Sequence, residues 1–158
     1  FMKRYTYLPQ VFLGAAFAWA IPMAFAAQTN SVPIVAWLLF MANVLWTTAY
    51  DTFYAMADRE DDMLAKVKST AILFGDDDRI IVGILQFSFL LIMALIGSKL
   101  EMSYVFYIGL LVASLFSIYQ QKIVATREPA QCLQAFLNNN WVGAALFIGI
   151  AAHYSLNG

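Results

Sequence analysis

Polar and apolar positions along this chain come in blocks rather than in alternation. Long apolar runs over residues 8–27, 32–57, 79–96, 102–124 and 136–154 are separated by short polar stretches. A transmembrane helix needs about 20 mostly apolar residues, whereas a barrel strand takes about 9–11 of alternating polarity. These runs are too long and too unbroken for strands, and lipid admits only helices or closed barrels. The pattern predicts an all-α fold, a polytopic transmembrane helix bundle with five spans in one domain over 1–158. The joints carry break signals: Gln28-Thr29-Asn30-Ser31, the polar stretch 58–78, Gly97-Ser98-Lys99, and 125–134. Pro9, Pro22 and Pro33 fall near helix ends or where a span can kink.

Composition agrees. Hydrophobic residues make up 62% and charged residues 12% of the 158, with a mean hydropathy of +0.70. Soluble domains carry about twice that charge, so a water-soluble enzyme domain is excluded. A net charge of −1 offers no field for a polyanion, which argues against nucleic acid as a partner. The single cysteine, Cys132, forms no internal disulfide and reads as a small buried apolar residue.

Charge placement sets the orientation. If the five spans alternate, Lys3, Arg4, Arg59, Lys66, Lys68, Arg79, Lys122 and Arg127 share one side and only Lys99 lies opposite. That side is expected to be cytoplasmic, or the matrix side in a mitochondrion. The acids follow the same split, with Glu101 alone on the far side. The positive-inside rule does not ask for acids, so their gathering needs another cause. His153, the only histidine, ends the last span away from the acids, where no catalytic role is expected.

The informative segment is Tyr50-Asp51-Thr52-Phe53-Tyr54-Ala55-Met56-Ala57-Asp58-Arg59-Glu60-Asp61-Asp62. Asp58 and Asp62 are one helical turn apart, Asp51 lies two turns deeper on the same stripe, and Tyr54 sits between. Asp61, three after Asp58, also reaches the stripe. An ordinary solvated helix end accounts for Glu60 and Asp61 but not for Asp51, which is embedded in apolar sequence where an ionised acid costs several kcal/mol. Carboxylates so spaced repel unless a cation lies among them. Arg59, Lys66 and Lys68 supply part of that charge, and Mg²⁺ fits better, because it takes one or two carboxylates and completes its shell with water and phosphate. The stripe therefore suits a diphosphate, with Lys68, Tyr54 and Arg59 against its oxygens and Asp58, Asp61 and Asp62 around the metal. Asp76-Asp77-Asp78, just ahead of the third span, reads instead as a helix cap. An EF-hand is excluded, since the sixth and twelfth positions counted from Asp58 are Met63 and Ser69. The CDP-alcohol phosphotransferase pattern also fails, because only its final Asp-x-x-x-Asp is present.

Together with Phe1-Met2-Lys3-Arg4-Tyr5-Thr6, Leu8-Pro9-Gln10, Leu13-Gly14, Lys68-Ser69-Thr70-Ala71-Ile72-Leu73-Phe74-Gly75 and Asn138-Asn139-Asn140, this stripe resembles the 4-hydroxybenzoate polyprenyltransferases of ubiquinone biosynthesis, members of the UbiA superfamily. The resemblance runs nearly the whole length. It implies a nine-helix fold with two aspartate-rich motifs on one face, of which only the second is present. The five spans then correspond to the last five of nine, and the chain, which opens on Phe1, is expected to be the C-terminal part of a longer polypeptide. By resemblance, Asp58 and Asp62 are the metal pair, Asp51 is the deeper supporting acid, and Lys3 meets the diphosphate. Lys66 departs from the family pattern, which has glycine there.

The implied reaction moves a polyprenyl group from its diphosphate to the ring of 4-hydroxybenzoate, with Mg²⁺ as cofactor and the lipid bilayer and the N-terminal half of the same enzyme as partners. The 158 residues alone are expected to be inactive. Residues 69–75 look like a loop folding over the site. The alternative is a non-enzymatic membrane subunit or half of a divalent-cation transporter, with the acids as an ion path; it does not explain why acids and lysines share one face.

Overall fold

A computed structural model of the chain describes residues 2–157, and within them every regular element is helical. A 3-10 turn over Met2–Arg4 precedes α1 (Pro9–Ala18) and α2 (Ala20–Thr29), which form one bent span. The bend follows from Pro22, which has no N–H for the Ala18 carbonyl and whose ring crowds it. α3 (Ile34–Ala57) leads through Asp58 into the short α4 (Arg59–Leu64) and α5 (Thr70–Phe74). A 3-10 turn at Gly75–Asp77 then opens α6 (Asp78–Lys99), followed by α7 (Tyr104–Ile123) and α8 (Pro129–Asn157). Five helical stretches are long and apolar enough to cross a membrane: Pro9–Thr29, Ile34–Ala57, Thr70–Lys99, Tyr104–Thr126 and Pro129–Leu156.

Three expectations about the joints are corrected. The last span begins at Pro129, not near 136, because proline at a first helical position loses no hydrogen bond and has its φ already set. The segment expected to be a loop over 69–75 is mostly helix: Ser69 caps α5 by accepting from the Ile72 N–H at 3.4 Å. Within the acidic triplet, Asp77 holds the N-cap position of α6 without a side-chain cap bond. Asp78 is its first residue, fully buried, and its carboxylate is held by arginines.

α3 packs on α1, α6 and α8, and α7 packs closely on α8 but loosely on α6. The core has two parts. One, around Phe89, Met93, Ile96, Phe106, Val142 and Leu146, lies toward the end with few charges. The other, around Phe53, Val82, Val124, Cys132 and Ala135, lies beneath the charged end and includes the cysteine as expected. Large apolar side chains such as Ile80, Phe87, Leu111, Phe147 and Ile148 are exposed on the outer faces, as a lipid solvent allows. Several side-chain amides inside are paired. Gln86 donates to Gln120 at 2.7 Å, Gln120 to Asn138 at 3.2 Å, and the Trp46 indole to Asn139 at 2.9 Å. At the opposite end the Ser103 N–H donates to Nδ1 of His153 at 3.0 Å, so the histidine is a structural tie far from the acids.

Candidate functional site

The site is built where α3 gives way to α4. Asp58 closes α3 with φ −92° and ψ 8°, outside helical geometry, yet the hydrogen bonding continues across it: the Asp58 N–H meets the Tyr54 carbonyl at 3.1 Å and the Asp62 N–H meets the Asp58 carbonyl at 2.8 Å. Helical phase is therefore carried through the junction, and Tyr54, Asp58 and Asp62 keep their one-turn spacing. Asp51 stands deeper on α3, half-buried. The Tyr54 hydroxyl lies beside the Asp58 carboxylate, and its ring tilts against Phe136 of α8 at 5.3 Å between centroids.

The cation comes from the far end of the sequence. The ammonium of Lys3 bonds both carboxylate oxygens of Asp62, at 2.9 and 3.1 Å, and its charge is felt at Asp51 and Tyr54. The segment after α4 fixes it there, because the Lys68 N–H donates to the Lys3 carbonyl at 2.7 Å. The Lys68 ammonium reaches the Tyr5 carbonyl at 3.3 Å and lies over the Tyr7 ring at 4.9 Å from its centroid, a cation–π contact. The Gln10 side chain, buried in α1, accepts from the Thr70 N–H at 3.1 Å. One wall thus combines the N-terminal turn, α3, α4 and the entry to α5.

The predicted residues divide into three groups. Asp51, Tyr54, Asp58, Asp62 and Lys3 are brought together, with Lys68 close by at the Tyr5 and Tyr7 segment. Asp61 is exposed to solvent. Arg59 turns away from the stripe: it pairs with Asp78 and donates to the Gly75 carbonyl at 3.3 Å. Arg127 reaches the same Asp78 at 3.0 Å, so that one buried carboxylate ties the α4, α6 and α8 entries together. Arginines therefore neutralise Asp78, while the stripe keeps its carboxylates for a lysine.

Among the described residues no three acidic, histidine or cysteine side chains converge tightly enough to hold a metal by themselves. That donor set still fits Mg²⁺, which needs one or two carboxylates when a diphosphate and water supply the rest, and Asp58 and Asp62 provide that pair. Beside the stripe, Trp46, Tyr50, Phe136, Asn139 and Asn140 line a cavity of about 390 Å³. Sequence reasoning did not assign it; its only signal is a run of three asparagines inside an apolar span.

A five-span helical bundle with acids, lysines and a tyrosine gathered at one end defines an integral membrane protein. The chain matches the UbiA prenyltransferase family over residues 1–150 and belongs to it. It is 60% identical over 154 residues to the 4-hydroxybenzoate octaprenyltransferase of Nitrosococcus oceani, an alignment covering 98% of this chain and 54% of that one. The protein of the same name from Saccharophagus degradans is 61% identical over 150 residues (95% and 50%), and that of Escherichia coli 56% identical over 154 (98% and 53%). The chain spans about half the length of the curated relatives it matches. No solved structure matches it.

Proposed function

We propose that this chain forms the diphosphate-binding part of an enzyme that transfers a polyprenyl group from polyprenyl diphosphate to the ring of 4-hydroxybenzoate, the activity for which its relatives are named, as a step toward ubiquinone. The observation that carries the reading is the Lys3–Asp62 pair beside Asp51 and Asp58, which puts a cation among acids at the membrane face, next to exposed apolar surface.

The allylic C–O bond breaks with its electron pair leaving on the diphosphate. A C–C bond forms at the ring carbon beside the hydroxyl, and the ring proton passes to a base. Asp58 and Asp62 would hold Mg²⁺, with Asp61 within reach; bound there, the ion offsets charge on the leaving diphosphate. Lys3 and Lys68 donate to diphosphate oxygens, and the Tyr54 hydroxyl supports Asp58. Asp51 holds the Lys3 charge in place. Arg59 is engaged by Asp78 and serves the stability of the bundle rather than the diphosphate. Apolar walls exclude water from the allylic carbon.

The full enzyme's other half would face this wall, with the present spans as the last five of nine. The cation-rich end would lie on the cytoplasmic side of a bacterial inner membrane. The deciding experiment uses the full-length protein in vesicles with both substrates. Mg²⁺-dependent release of diphosphate with formation of prenylated product supports the reading; metal uptake without either would identify a cation transporter instead.

A further inference from the structure

On the face of the bundle away from the acids, α6 and α7 part. The groove between them, about 530 Å³, is lined by Phe87, Leu90, Leu91, Leu110 and Ile118 and receives no side chain from α1, α3 or α8. Its polar floor is already satisfied: the Ser114 and Ser117 hydroxyls donate to carbonyls of their own helix, Leu110 and Ala113, at 2.8 and 3.1 Å, and Gln86 donates to Gln120. To a ligand the groove is hydrocarbon.

At the charged end it continues past Gly83 and Gln121, which line both spaces, into a mouth of about 340 Å³ walled by Asp76, Arg79, Ile80 and Arg127. Arg127 is engaged by the Asp78 carboxylate and by the backbone carbonyl of Asp76, to which it donates at 2.5 Å. Arg79 has no carboxylate partner among the described residues. One terminal nitrogen donates to the Gln121 carbonyl at 3.2 Å, and its Nε is buried without an acceptor. Asp76, three residues earlier, is exposed, and its carboxylate has no ion-pair partner among the described residues. The mouth thus presents one guanidinium short of an acceptor and one carboxylate short of a cation, above an apolar trench.

We infer that this cleft binds a membrane phospholipid of the phosphoethanolamine class. Its phosphate oxygens accept from the terminal nitrogens of Arg79, whose planar fork suits a phosphate. Its ammonium lies at Asp76, and an acyl chain fills the groove, where each buried CH₂ adds to the binding. A headgroup with a phosphate and no cation would leave Asp76 facing like charge. The site is separate from the acidic stripe on α3 and α4, so the lipid is a structural ligand rather than the group transferred.

The test uses the full-length protein in nanodiscs with phosphatidylethanolamine carrying a photoactivatable acyl chain. Labelling is expected in α6 and α7, competed by unlabelled phosphatidylethanolamine and not by phosphatidylglycerol or polyprenyl diphosphate. Arg79→Gln is expected to reduce it about tenfold, the effect of losing one charge-assisted pair. Gly83→Leu is expected to reduce it independently, filling the throat with little disturbance, since a Cβ there meets only the Gln121 side chain at 3.7 Å. A thermal melt of each variant confirms that the bundle is intact. No labelling of α6 and α7, labelling indifferent to both substitutions, or equal competition by phosphatidylglycerol overturns the proposal. Competition by polyprenyl diphosphate overturns it too, and makes the cleft a prenyl site.

Discussion

Lys3 and Asp62, 59 residues apart in sequence, are joined by a two-pronged ion pair at 2.9 and 3.1 Å that closes the N-terminal turn onto α4. The carboxylate is nearly buried while the lysine side chain is 38% exposed, so the ammonium keeps water on one side and can exchange Asp62 for a phosphate oxygen. An exposed ion pair contributes little to stability, about 0–1 kcal/mol. On the proposed function, its role is to hold a positive charge beside Asp51, Tyr54 and Asp58 before substrate arrives.

Asp58→Asn and Asp62→Asn, each made in the full-length enzyme, are therefore expected to lower prenylation by about 100-fold or more, the scale of losing one preorganised electrostatic contact. The thermal midpoint should barely move, because the partner left behind in Asp62→Asn is a part-exposed lysine. Turnover assays with a melt on the same preparation check both halves. Near-normal turnover in both variants would remove the metal role from this pair.

Asp78→Asn should do the reverse. That carboxylate is fully buried and receives Arg59 and Arg127 together, with the Arg79 N–H at 2.6 Å as well. Neutralising it strands two guanidiniums and costs about 3 kcal/mol, the lower end of the range for a broken buried pair because Arg127 is 36% exposed. Heating and denaturant series should show the loss, while activity per folded molecule stays close to the parent. A stable variant with no activity would place Asp78 in the chemistry.

This contrast marks what the sequence could and could not convey. Helical period and span length make the five spans and the stripe from Asp51 to Asp62 legible, because those relations are local. The partners of the charges are not local. Nothing near Lys3 says that it meets Asp62 rather than Asp58, and Asp78, in a run of three acids before a helix, has the local pattern of a cap and the tertiary role of an arginine anchor. Arg59 illustrates the same limit, since its neighbours in sequence are the stripe and its neighbour in space is Asp78. The amides of Gln86, Gln120, Asn138 and Asn139 stand out as polar positions in apolar runs, but only packing shows that the first three bond in a chain and that Asn139 accepts from the Trp46 indole.

The α7–α8 crossing supplies a stability test. A Cβ at Gly109 would lie 2.6 Å from the Ala145 carbonyl oxygen and 3.1 Å from the Cα of Gly149, both backbone atoms that cannot rotate aside. Small residues at such crossings let membrane helices approach and gain dispersion contacts. Gly109→Ala should destabilise by about 1–3 kcal/mol through overpacking, and Gly109→Val by more. Gly83→Ala, where the nearest atom is a side-chain nitrogen at 3.7 Å, should be neutral or gain up to about 1 kcal/mol of helix propensity. Equal behaviour of the two alanines would mean that α7 and α8 are not in close contact.

Lys66 offers the reverse case, a substitution that should help. The turn ending α4 is a Schellman motif: the Val67 N–H reaches back to the Asp62 carbonyl at 3.0 Å and the Lys66 N–H to that of Met63 at 3.1 Å. The residue between must be left-handed, and Lys66 has φ +53°, where a Cβ crowds the following carbonyl. Glycine is what the resemblance leads one to expect at this position, and it would carry no such strain. Lys66→Gly is expected to raise stability by about 1 kcal/mol, seen as a higher thermal midpoint, and Lys66→Asn by less, since asparagine tolerates this region better than lysine. Because Lys66 is exposed and makes no ion pair among the described residues, KM for polyprenyl diphosphate should be unchanged in both variants. A rise in KM shared by glycine and asparagine would instead assign the Lys66 ammonium to the diphosphate, with its strained backbone retained for that contact.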